Sequence, residues 1–87
     1  MYIYEEQKKK VLTKEGQKML LSIRKRKNKL LLEGVAKMSD LITGITGTGD
    51  PWIRMACVDR LVELGELKEV TKPRVWGQDR MFVHPRT

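Results

Sequence analysis

Thr46-Gly47-Thr48-Gly49-Asp50-Pro51-Trp52-Ile53-Arg54-Met55-Ala56-Cys57-Val58-Asp59-Arg60-Leu61-Val62-Glu63-Leu64-Gly65 decides how this chain is read. Its first five residues are a polar turn with two glycines. Asp50 is a natural helix cap, and Pro51 suits the first helical position, where its missing N–H is harmless. Ile53, Cys57, Leu61 and Leu64 then recur on one face, with Val58 and Val62 widening it into a core-facing arc. Gly65 supplies a left-handed terminus. A hairpin follows, in which 67–71 pairs with 81–84, and Pro73 and Gly77 mark the residues between as loop.

Upstream, Thr13 reads as an N-cap with Glu15 in the first helical turn. Met19, Leu20, Ile23, Leu30 and Leu31 form the apolar stripe of an amphipathic helix. Arg24-Lys25-Arg26-Lys27-Asn28-Lys29 interrupts that stripe. Either one helix runs through to about Glu33, or Asn28 caps a second short one. The single helix is preferred, because Gly34 is a natural stop and no proline or glycine breaks the middle. Val35–Met38 reads as a short edge strand. Ser39 reads as the cap of a brief helix over Leu41 and Ile42, with Asp40 in its first turn. Residues 1–12 are expected to be a partly ordered arm before one α+β domain over 13–87.

A chain of 87 residues makes one modest core, burying roughly 60–65% of its unfolded surface. A single cysteine cannot close an internal disulfide, which fits a reducing compartment. No apolar run approaches the ~18 residues of a membrane span, and Met1-Tyr2-Ile3-Tyr4 runs into Glu5-Glu6 without a signal-peptide pattern. A cytoplasmic protein without a membrane partner is expected. The net charge is +7, unevenly spread. Residues 1–34 hold ten Lys/Arg against four Asp/Glu (+6), and residues 35–87 hold eight against seven (+1). Such a basic excess points to a polyanionic partner, above all nucleic acid.

Asp59-Arg60-Leu61-Val62-Glu63-Leu64-Gly65-Glu66-Leu67 resembles the end of a winged-helix recognition helix entering the first wing strand. Arg80-Met81-Phe82-Val83-His84-Pro85 is similar to the returning wing strand of small bacterial and phage winged-helix regulators. The resemblance spans about residues 36–85 and is one of pattern. It implies a small winged helix: three helices, the first long and basic, and a C-terminal β-hairpin wing. It implies a core containing Leu61, Leu64 and Leu67, with Arg54 and Met55 facing bases and Arg74 at the wing tip. One departure is that Arg54 stands where many members carry an apolar core residue. Either the helix is rotated, or Arg54 does not face the groove.

The expected function is sequence-specific binding of double-stranded DNA in transcription control, nucleoid-associated if so. Helix 51–64 would enter the major groove, whose base edges need donors and a methyl-reading apolar group. Thr48, Trp52, Arg54 and Met55 are the candidates, with Asp59 further along. On the loop 72–80, Lys72, Arg74, Trp76 and Arg80 are candidates for the backbone or a narrow minor groove. Arg24, Lys25 and Lys27 are candidates for phosphate contact, since a Lys/Arg cluster neutralises phosphates without reading sequence. Lys8-Lys9-Lys10 adds to the same charge. Alternatives are a protein-docking module acting through Trp52 and Trp76, and RNA or ribosome binding by the basic helix. A homodimer seam through Leu12, Met19, Ile23 and Leu30 would bring like charges together, so packing within the chain is preferred.

Catalysis has little to stand on. His84 is the only histidine, and Cys57 sits on the core face of a helix. No spacing of Cys, His, Asp and Glu makes a metal site. Gly47-Thr48-Gly49 lacks the lysine and preceding strand of a phosphate loop. No enzyme activity, cofactor or small-molecule substrate is expected.

Overall fold

The computed structural model describes residues 1–45 and 51–86, with Glu33 described in its backbone only. Helix α1 spans Tyr4–Val11 and helix α2 spans Lys14–Leu30. Thr13 is the joint between them. Its hydroxyl donates to the Lys10 carbonyl at 2.7 Å and accepts from the Gly16 N–H at 3.1 Å. One side chain therefore serves the last turn of α1 and the first turn of α2. The basic run lies inside one continuous helix. After Leu30 the chain tightens into a 3-10 turn over Leu31–Glu33 and stops at Gly34, whose φ of 115° suits glycine alone.

The expected arm is a helix instead. Tyr4, Gln7, Lys8 and Val11 share one face at helical spacing, and Gln7 and Val11 are buried. A polar pair in the middle of the stripe hides this pattern from a reading that looks for apolar residues. Gly16 fixes the crossing of α1 and α2. A Cβ there would stand 2.2 Å from the Lys10 carbonyl oxygen and 2.5 Å from that of Val11. The Gln17 side-chain amide donates to the Val11 carbonyl at 2.9 Å across the same joint.

Strand β1 (Ala36–Lys37) leads into helix α3 (Met38–Ile42), and helix α4 spans Pro51–Glu63. The cap of α3 lies earlier than expected: the Lys37 N–H donates to the Asp40 carboxylate at 3.1 Å, while Ser39 lies inside the helix. Gly65 ends α4 as expected, at φ 77°. The Glu66 N–H donates to the Leu61 carbonyl and the Gly65 N–H to that of Val62, the paired closure of a Schellman terminus.

Strands β2 (Lys68–Glu69) and β3 (Met81–Val83) complete an antiparallel sheet in the order β1-β3-β2. Phe82 lies opposite Ala36 on one side and Glu69 on the other. The architecture is α+β. Among the described residues it has four α-helices, one more than expected because 4–11 folds. Phe82, Ile23, Met38, Leu41, Leu61, Val11 and Val58 are the largest fully buried apolar side chains among the described residues. Among the described residues, no helix is long and apolar enough to cross a membrane.

Candidate nucleic-acid interface

Helix α4 packs against α1, α2 and α3. It therefore buries more of its circumference than a helix covered on one side, including the consecutive run Met55, Ala56, Cys57 and Val58. Met55 is only 8% exposed, so it belongs to the core and cannot meet a base. Arg54 is half-buried, and its Nε is buried with no hydrogen-bond partner among the described residues. It does not stand out as a groove-reading side chain. Leu64, expected in the core, is 45% exposed. Trp52, at 38%, remains accessible at the N-terminal end of α4. Thr48 lies outside the described residues.

The C-terminal half of α4 is covered by α1. Tyr2 donates its hydroxyl to Asp59 at 2.5 Å, Tyr4 donates to Glu63 at 3.1 Å, and Lys8 pairs with Glu63 at 3.0 Å. Arg60 also pairs with Glu63. Hydrogen bonds from Lys8 and Arg60 hold the Glu63 carboxyl down at about 2. Burial, then the bond to Glu63, pushes the Tyr4 phenol up to about 12. Asp59, Tyr2 and Tyr4 are thus anchors of α1, a role sequence reasoning missed. The available signal was two tyrosines just ahead of a short amphipathic stripe.

Between β2 and β3 the loop exposes Lys72, Arg74 and Trp76, the last at 82%. Arg74 holds φ 70°, an unusual backbone state for a residue with a Cβ. Arg80 departs from expectation. Its guanidinium donates to Asp59 and Glu69, each at 2.7 Å from one terminal nitrogen, and its Nε donates to Glu69 at 2.8 Å. These bonds raise the Arg80 pKa further and hold the Glu69 carboxyl below its usual range. Arg80 ties α4 to the hairpin, so its guanidinium is engaged within the chain instead of standing out at the wing. Beside it lies a groove of about 490 Å³, walled by Met1, Tyr2, Met55, Val75 and Trp76.

The basic run of α2 divides in two. Arg24 donates to both Glu66 carboxylate oxygens, at 2.8 and 3.0 Å. Lys27 is buried and donates to the Glu66 carbonyl at 3.2 Å. Hydrogen bonds from Arg24 hold the Glu66 carboxyl below its usual range. Arg24 and Lys27 are therefore structural, contrary to expectation, because one acid after Gly65 reaches back to both. Lys25 is exposed. It lines a second groove, of about 420 Å³, with Ser22, Arg26, Lys29, Leu30 and Ile45. Arg26 and Lys29 belong to the Arg24–Lys29 run whose charge points to phosphate contact.

Met19 and Ile23 are consumed by the chain's own core, so the dimer seam is not available. Cys57 is fully buried with its Sγ 3.8 Å from the Gly16 carbonyl, and burial pushes its thiol up to about 12, far from reactive. His84 is exposed and accepts the Arg86 N–H at Nδ1. Compared with known proteins, the chain matches no family model, no curated protein and no solved structure.

Proposed function

We propose that this chain is a winged-helix module that binds double-stranded DNA, with transcription control as its role. The observation that carries the reading is the hairpin loop. It exposes Lys72, Arg74 and Trp76, and its Trp76 shares a groove with Met55 on the N-terminal half of α4. A helix-turn-helix followed by such a hairpin has the parts for inserting one helix end and laying a cationic loop on the backbone. Met55, Arg80, Arg24 and Lys27 are engaged internally. Binding therefore rests on phosphate contact by the loop, with Trp52 nearest the bases. Phosphate contacts position a protein and base contacts specify, so sequence preference is modest.

Fluorescence anisotropy with random duplex DNA across a salt series tests this. Dissociation constants of ~10⁻⁴–10⁻⁶ M with a steep negative salt slope are expected. Arg74→Gln should flatten that slope by about 1. Absence of binding at low salt overturns the reading. A second reading, protein docking, is favoured by one observation: Trp76 stands largely exposed on a groove lined by Met1, Tyr2, Met55 and Val75 together with Glu69 and Arg80. It predicts that Trp76→Ala abolishes partner capture while Arg74→Gln leaves it intact.

A further inference from the structure

The groove at the C-terminal end of α2 has a composition that packing does not explain. Lys25, Arg26 and Lys29 line it, and among the described residues no acidic side chain does. Lys25 and Lys29 are exposed, stand one helical turn apart, and have no acidic partner among the described side chains. Like charges at that spacing disfavour the helix that carries them. The neighbouring Arg24 and Lys27 show how this chain treats a cation it needs for folding: both are bonded to Glu66. Arg26 is held in place, since one terminal nitrogen donates to the Thr43 carbonyl beside Gly44. A guanidinium has five N–H donors, so others remain for a ligand. Leu30 and Ile45 give the groove an apolar lining. Ser22 is not a donor toward it, because its hydroxyl is spent on the Lys18 carbonyl at 3.2 Å.

We propose that Lys25, Arg26 and Lys29 form a phosphate clamp for a nucleic-acid backbone, separate from the hairpin loop. This deepens the DNA-binding reading and rests on it. The occupant is a sugar-phosphate strand because the described polar side chains of the site are three cations and one serine whose proton is already spent. A run of phosphates can meet two lysines one turn apart and a fixed guanidinium beside them. Ile45 opens the connection that leads into α4, so the clamp adjoins the helix-turn-helix element. The whole domain measures 31 × 27 × 22 Å, which keeps the clamp within one duplex turn, about 34 Å, of α4.

The test compares salt slopes for the parent, Lys25→Gln/Lys29→Gln and Lys14→Gln/Lys18→Gln, using the same random duplex. The second pair removes equal charge from the exposed N-terminal part of α2, outside the groove. All three proteins are first matched by thermal melting. The clamp predicts weaker binding by the Lys25/Lys29 variant and a slope shallower by about 1.8, with a change below about 1 for the other pair. Equal changes in the two variants overturn the clamp in favour of a diffuse field. An unchanged slope in the Lys25/Lys29 variant overturns the clamp and leaves DNA binding standing. A parent that fails to bind at all removes both.

Discussion

Arg24 and Lys27 lie against Glu66, whereas Lys25 and Lys29, neighbours in the same run of α2, face water and a groove. In the sequence these four residues are one basic cluster. In the fold they are two populations with different work. The first pair ties α2 to the turn after α4. The second keeps its charge at the surface. A cluster of like charge is therefore not a patch until the acids that reach it from elsewhere in the chain have been placed. Here Glu66 does the sorting, although it is 42 residues from Arg24.

The packed side of α2 should break first. Gly16→Val puts a side chain where carbonyl oxygens stand 2.2 and 2.5 Å from the Cβ position, and it should destabilise by about 3 kcal/mol or more in urea unfolding. Arg80→Gln carries the comparison to the hairpin. It strips the partner from Asp59 and Glu69, and for this mostly buried site a loss of about 2 kcal/mol is expected. Glu66→Gln should cost about 1 kcal/mol, because it weakens the bonds that hold Arg24 and Lys27. At the small end, Lys25→Gln/Lys29→Gln should change stability by less than about 0.5 kcal/mol, in the stabilising direction. A large loss there would dissolve the distinction between the two sides.

Acid sharpens the same contrast. Glu63, Glu66 and Glu69 each hold a carboxyl pKa below the ordinary 4.5, with Glu63 at about 2. The unfolded chain binds more protons between those values, so their stabilisation is complete above about pH 4.5 and is lost as pH falls toward 2. Thermal melting across that window should show a falling midpoint. The Glu66→Gln variant should fall less steeply than the parent.

Local signals in the sequence were strong where backbone chemistry is local. Thr13 as a cap, Gly34 and Gly65 as stops, and the hairpin of 67–71 with 81–84 needed only neighbours a few residues away. The α+β class followed from them. The site was less legible, because each error involved a partner remote in sequence. Met55 turned inward at the groove it shares with Tyr2, Val75 and Trp76, and α1 was itself concealed by Gln7 and Lys8 in its buried stripe. Arg80 was taken up by Asp59 and Glu69, and Arg24 and Lys27 by Glu66. The misfit noted at Arg54 was a real signal: an arginine at a position suited to an apolar residue does lie half-buried, with its Nε enclosed.

The contact between Cys57 and Gly16 gives the protein a built-in clock. The chain's sole thiol is fully buried where α1, α2 and α4 converge. A thiol-specific reagent can reach it only when that junction opens. The alkylation rate of untagged protein then reads the opening frequency of the N-terminal helix, without any introduced label. Adding duplex DNA during the reaction would reveal whether occupancy of the distant groove slows or hastens that opening.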